Sequence, residues 1–164
     1  MDVRAQKSEN RISVFVDVQN IFYTTRDVFG RHFNYRIFWE NIEKQGRIMR
    51  AFAYAIDRGD DGQRKFQSAL SHIGFTVKLK PYISRSDGTS KGDWDVGIAI
   101  DVLDSVSDTD SVVLLSGDGD FSVLLDRVAS AGLCTEVYSV EKLTANALIH
   151  SATTYHPIDS TMLL

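Results

Sequence analysis

Five apolar runs, separated by segments of helix length, constrain this chain more than any other feature. ISVFVDV (Ile12–Val18) is β-branched and aromatic at nearly every position, as a strand covered on both faces of a sheet must be. RIMRAFAYAID (Arg47–Asp57), FTVKLK (Phe75–Lys80), SVVLLSG (Ser111–Gly117) and LCTEVYSV (Leu133–Val140) read as the second to fifth strands. The third alternates Phe75, Val77 and Leu79 with Thr76, Lys78 and Lys80, the pattern of an edge or one-sided strand.

Helical patterns fill the gaps. Asn20–Phe29 ends at Gly30, and RHFNYRIFWENIEKQG forms a second helix stopped by Gly46. Gln63–Ile73 places Phe66, Ala69, Leu70 and Ile73 at helical spacing with Gly74 behind them. Trp94–Val106, Phe121–Ala131 and a short Leu143–His150 complete the set, and the tail beyond them has no assigned place. Strands alternating with helices imply right-handed crossovers and a parallel sheet covered on both faces, an α/β three-layer fold.

A length of 164 residues with 43% hydrophobic composition suits one core: a polar tail at residues 1–10 and a single domain at 11–164. No apolar run approaches the ~18 residues of a membrane span, and no signal-peptide pattern follows MDVRAQKSEN. The single cysteine, Cys134, excludes an internal disulfide and fits a reducing, cytoplasmic setting; its apolar neighbours suggest a small core residue. Without CxxC or a His/Cys cluster, a structural zinc is not expected, and His32, His72, His150 and His156 show no ligand spacing. The net charge of −4 argues against a protein that coats nucleic acid by bulk positive charge.

Ligands of such sheets bind beyond the carboxyl ends of the strands, near the switch in strand order. Asp17 ends the first strand, Asp118 and Asp120 follow the fourth, and Asp95 opens the helix leading to it. Several carboxylates at one rim are costly without cations or protonation. An all-oxygen set suits magnesium or manganese, and the chemistry such a set supports is phosphodiester cleavage. Asn20 adds an amide that can orient a carboxylate or a substrate phosphate, and Ser116 a hydroxyl. Gly117 and Gly119 would let backbone N–H groups approach an anion. Each residue also has a plainer reading: Asp120 or Asn20 as a helix cap, Asp95 as an acid favoured by the helix dipole. Asp101, six residues beyond Asp95 and roughly 240° round the helix, should not share its face.

VFVDVQN, KGDWDVGIAIDVL and LLSGDGDFSVLL, in this order, resemble the NYN domain of the PIN-like nucleases, and within it the LabA-like group. The resemblance covers roughly Ile12–Tyr138; the tail from Thr153 onward matches poorly. It implies a Rossmann-like α/β/α sandwich with a parallel five-stranded sheet in the order 3-2-1-4-5 and a metal-dependent ribonuclease site. By motif, Asp17, Asp95, Asp118 and Asp120 take the catalytic and metal-holding places, Asn20 pairs with Asp17, and Lys91 matches a basic residue that contacts phosphate. Two departures stand out. Val18 replaces a common glycine, and KGDWD is one residue longer than usual, so Asp93 competes with Asp95 for the metal.

RNA would need positive charge and flat side chains around the acids. Arg31, Arg36, Arg58, Arg64, Lys65, Lys78, Lys80, Arg85 and Lys91 are scattered, and most should be solvated surface charges. Tyr23, Tyr82 and Trp94 lie near the rim, and the long loop YISRSDGTSKGDW, with Arg85, Lys91 and Trp94, is the expected substrate-contacting segment. The leading expectation is a magnesium- or manganese-dependent endoribonuclease acting on single-stranded or structured RNA. The alternative is a non-catalytic module of the same shape that binds RNA, a nucleotide or a protein; self-association as a homodimer is left open. A haloacid-dehalogenase-like phosphatase is disfavoured because Gln19 stands where its second aspartate is needed. A response-regulator receiver is disfavoured because no lysine follows the fifth strand until Lys142.

Overall fold

The computed structural model describes residues 10–81, 83–84, 90–91 and 93–164. Its strands are β1 (Arg11–Asp17), β2 (Arg47–Asp57), β3 (Thr76–Pro81), β4 (Ile83–Ser84), β5 (Ser90–Lys91), β6 (Ser111–Leu115), β7 (Cys134–Ser139) and β8 (Thr154–Pro157). The helices are α1 (Val18–Phe29), α2 (Tyr35–Glu43), α3 (Asp61–Ile73), α4 (Asp95–Ser105), α5 (Ser122–Ser130) and α6 (Asn146–Ser151).

The main sheet is ordered β3-β2-β1-β6-β7-β8, and every pairing in it is parallel. The expected five-strand order is therefore present, with β6 and β7 as the fourth and fifth strands and β3 at an edge. The unplaced tail contributes a sixth strand. β8 pairs from Glu136↔Thr154 to Ser139↔Pro157. His156 stacks on Tyr138 at 4.3 Å and its Nε2 lies 2.8 Å from Glu136 Oε1. A short strand ending in proline is admissible there because it is an edge. β4 and β5 form a separate antiparallel pair.

Alternation along the strands divides the core in two. Val14 and Val16 of β1 pack with Ile21 of α1, Phe38 and Ile42 of α2, and Leu70 of α3. Phe15, on the opposite face, joins Ile98 and Val102 of α4, Leu124 and Leu125 of α5, and Leu148 of α6. Each face thus has its own apolar layer, which is the three-layer arrangement. α1 ends because Gly30 adopts φ 64°, a left-handed conformation that costs glycine little.

Cys134 corrects an expectation. It is exposed, not a core residue, and it is the first residue of β7, at the strand's open start. Asn10, placed in the tail by its polarity, accepts a 2.7 Å hydrogen bond from the Arg47 N–H and so belongs to the fold. Among the described residues, no helix is long and apolar enough to cross a membrane.

Candidate metal centre

The switch in strand order falls between β1 and β6, and their carboxyl ends carry the acids. Asp17 is the last residue of β1 and caps α1, accepting from the Asn20 N–H at 3.4 Å. Its other oxygen accepts from the Ser116 hydroxyl at 3.0 Å, just past β6. Asp118 caps the 3-10 turn Gly119–Phe121, accepting from the Asp120 N–H at 2.9 Å. The cap is therefore Asp118, not Asp120, which leaves the Asp120 carboxylate exposed. Asp95 is the first residue of α4, at the positive end of that helix.

These placements bring one oxygen each from Asp95, Asp118 and Asp120 within 4.8 Å of one another. Burial, with the nearby charges of Asp118, Asp93 and Asp17, pushes the Asp95 carboxyl up to about 7. Asp17 rises to about 6, again chiefly through burial; its bonds from Ser116 and Asn20 oppose the rise, and the charges of Asp118 and Asp93 add to it. Three close carboxylates, with no nitrogen or sulfur donor grouped with them among the described residues, form a hard-oxygen set, which fits magnesium or manganese better than zinc. The raised carboxyls have the same cause: like charges in a partly dry site need a proton or a cation.

Asp93 stands outside the three-oxygen group. It is exposed, and its carboxylate accepts from the Asp95 N–H at 3.4 Å. Beginning α4 at Asp95 is what turns that residue, and not its rival, toward Asp118. Asp101 is also elsewhere, paired with Lys78 Nζ at 2.6 Å and accepting from the Tyr54 hydroxyl at 2.7 Å.

Three residues expected at the substrate also make bonds within the fold. Ser116 is fully buried, and its hydroxyl holds Asp17 while accepting from the Asp118 N–H at 3.2 Å. Asn20 uses its side-chain carbonyl to accept from the Gly117 N–H at 2.9 Å, tying the start of α1 to the SGDGD loop. The Gly117 amide is thus spent inside the protein and is not open to an anion. Trp94 donates its indole N–H to the Ala55 carbonyl at 2.9 Å and packs on Tyr54. A Cβ on Gly97 would lie 2.6 Å from that ring, so glycine is what lets Trp94 fold onto the first turn of α4. Lys80 Nζ lies 4.7 Å from the Trp94 ring. Arg85 and Tyr82 lie outside the described residues, as does the Lys91 side chain.

Thr144 and Ala145, expected inside a helix over Leu143–His150, are instead extended, and the helix begins at Asn146. A Cβ on Gly117 would meet Thr144 Oγ1 at 2.9 Å, and one on Gly119 would meet Ala145 Cβ at 2.7 Å. The glycines between the acids thus admit a neighbouring loop pressed against the site from behind. Thr144 is itself held by a 2.6 Å bond with the Ser139 hydroxyl.

Comparison with known proteins agrees with this architecture. The NYN domain family matches residues 11–159. Low amplitude and bright protein LabA of Synechococcus elongatus is 28% identical over 154 residues, covering 89% of this chain and 82% of that protein. The crystal structure of a protein of unknown function from Vibrio parahaemolyticus has a TM-score of 0.91 at 43% identity, covering 96% of this chain and 98% of that one.

Proposed function

The chain belongs to the NYN domain family, in its LabA-like group, and from that premise we propose that it is a magnesium- or manganese-dependent endoribonuclease. The observation that carries the proposal is the convergence of Asp95, Asp118 and Asp120 within 4.8 Å at the sheet's switch point. Asp95, Asp118 and Asp120 hold the cation, with Asp17 behind them. When bound, a divalent ion polarises a phosphate and lowers the pKa of an attacking water. Ser116 and Asn20 keep Asp17 and the SGDGD loop in place, so removing either should misplace the acids without removing one. Asp95 must lose its proton before it holds a cation, and Asp17 behind it adds negative charge once it ionises, so activity should rise with pH through the range set by values of about 6 and 7. RNA contacts fall to Lys80, Arg58 and the loop carrying Arg85 and Lys91, with Trp94 offering a ring face.

The test is incubation of labelled single-stranded RNA with the protein in manganese, in magnesium and in EDTA, beside Asp118→Asn. Cleavage that needs the metal and vanishes in the variant supports the reading. Binding without cleavage under either ion would replace it with a non-catalytic RNA-binding module.

A further inference from the structure

Opposite the acids, the first turn of α1 forms one wall of a second opening. Asn20 turns its carbonyl to Gly117, whereas Val18, Gln19 and Phe22 line a cavity of about 500 Å³ whose far side includes Phe66 and Gln67 of α3. That volume is within the ~300–1,000 Å³ of ordinary ligand pockets. The Val18 side chain adds to the wall.

The walls are chiefly apolar and aromatic. Phe33 and Tyr35 are buried within them, whereas Phe22, Tyr23 and Phe66 remain 42%, 37% and 37% exposed. Phe22 stacks on His32 at 5.4 Å and Phe66 packs edge-on to Tyr35 at 5.8 Å, so each ring is braced from one side while part of it stays exposed toward the cavity; exposed apolar surface of this kind often marks a binding site. The polar lining is sparse, and one member of it is unsatisfied: Gln67 Nε2 is buried with no hydrogen-bond partner among the described residues. Buried donors are rarely left so. Arg58 and Asp60 are the charged residues of the lining, and Arg26, paired with Asp27 at 3.0 Å, lies beside its aromatic wall. Arg26 lies 4.9 Å from the Tyr23 ring centroid and 5.7 Å from that of Phe22, and Arg58 donates to the Tyr23 hydroxyl at 3.4 Å.

We propose that this cavity receives an unpaired base of the RNA strand whose backbone passes the acids, stacked against Phe22 and Phe66 and accepting from Gln67. The inference rests on the ribonuclease reading for the choice of RNA. Flat π-surface, a lone donor and flanking arginines are what a splayed-out base with its phosphates requires. The two openings are contiguous along the chain, since Val18 and Gln19 directly follow Asp17. They are separated by one helix, ~10–12 Å thick, so the base belongs to a nucleotide close to the cut phosphate.

The experiment measures binding in EDTA, where no cutting intervenes, using a short labelled single-stranded RNA and the same strand without bases. Phe22→Ala and Phe66→Ala should each weaken binding of the intact strand about ten-fold. Gln67→Met should weaken it several-fold, and none of the three should change binding of the abasic strand. Phe66→Leu, which keeps the apolar bulk and loses the ring, should retain the wild-type melting temperature and still bind weakly. Wild-type affinity in the ring variants, or equal losses on both strands, overturns the proposal, as does a wild type that binds neither strand. Ring-dependent binding by a protein that cuts nothing in manganese would overturn the nuclease reading and leave the base pocket standing. Normal cutting with ring-independent binding would do the reverse.

Discussion

Aspartates crowd both ends of the central strands, and the two ends treat them in opposite ways. Where β1, β2 and β6 begin, Asp108 takes two bonds from Arg50, at 2.6 and 2.9 Å, and Asp110 takes bonds from the guanidinium and the backbone N–H of Arg11. Those arginine bonds hold both carboxyls below their ordinary value. Where β1 and β6 finish, Asp17 and Asp95 are pushed up, and among the described residues no ion pair engages Asp17, Asp95, Asp118 or Asp120. Acids that fasten strand starts carry their own counter-ions; the rim acids have mostly one another. The difference leaves the rim as the end where carboxylates stand together without a counter-ion among the described residues.

The sharpest way to break this contrast is to remove one charge from each end. Asp118→Asn should lower RNA cleavage by roughly 10²–10³-fold, the scale for losing one preorganised charge contact in a site. Asp108→Asn should leave cleavage unchanged and lower the melting temperature instead, because Arg50 then loses its carboxylate. Equal cleavage losses in both variants would mean the rim has no special role. Next in size is the response to manganese without RNA. At a hundred times the dissociation constant, linkage stabilises the wild type by about 2.7 kcal/mol, or roughly 5–10 °C in a chain of this size. Asp118→Asn should lose that shift, and Asp108→Asn should keep it from a lower baseline. Differential scanning fluorimetry reads both.

How much of this contrast is legible before folding depends on the range of the interactions. The strands themselves and the acids Asp17, Asp118 and Asp120 follow from local patterns, since an acid after an apolar strand is placed by the strand itself, whereas the strand order comes from the resemblance of the motifs. The choice between Asp93 and Asp95 is not local in the same way: it turns on which residue starts α4, which Trp94 settles by packing on Gly97 and Tyr54. The internal bonds of Ser116 and Asn20 are not legible in the sequence because polar residues beside a site look alike until their partners are known. β8 is invisible because TYHP is short and polar, and its support lies some twenty residues back in β7. The bond between Arg50 and Asp108 spans 58 residues, beyond any periodicity.

The pH dependence of metal-free stability separates the two ends by sign. Asp17 and Asp95 bind protons more tightly when folded, so between about pH 4, where unfolded carboxyls titrate, and their folded values of about 6 and 7, the native state holds more protons. Stability contributed by the rim is full below that window and falls as pH rises through it. Asp108 and Asp110 act oppositely: their contribution is full above about pH 4 and is lost as pH falls through their depressed values. Asp17→Asn should therefore raise metal-free stability at pH 8 by about 2 kcal/mol and leave pH 3 nearly unchanged. Urea midpoints across the range test this. A variant less stable at pH 8 would show that its cap on α1 outweighs its buried charge.

The smallest effect distinguishes the two basal arginines from each other. Arg11 and Asp110 are 41% and 46% exposed, so solvent screens the pair, and Asp110 keeps the bond from the residue-11 backbone N–H when the guanidinium is gone. Arg50 is 22% exposed and also bonds the hydroxyls of Ser13 and Thr109, both buried. Deleting it leaves Asp108 without its cation and takes a donor from two groups that water cannot reach. Arg50→Ala should shift the urea midpoint clearly and largely independently of salt. Arg11→Ala should shift it barely, and that small shift should vanish in high salt. Equal, salt-sensitive shifts would mean that both pairs are surface pairs, and that only the rim departs from ordinary solvated behaviour.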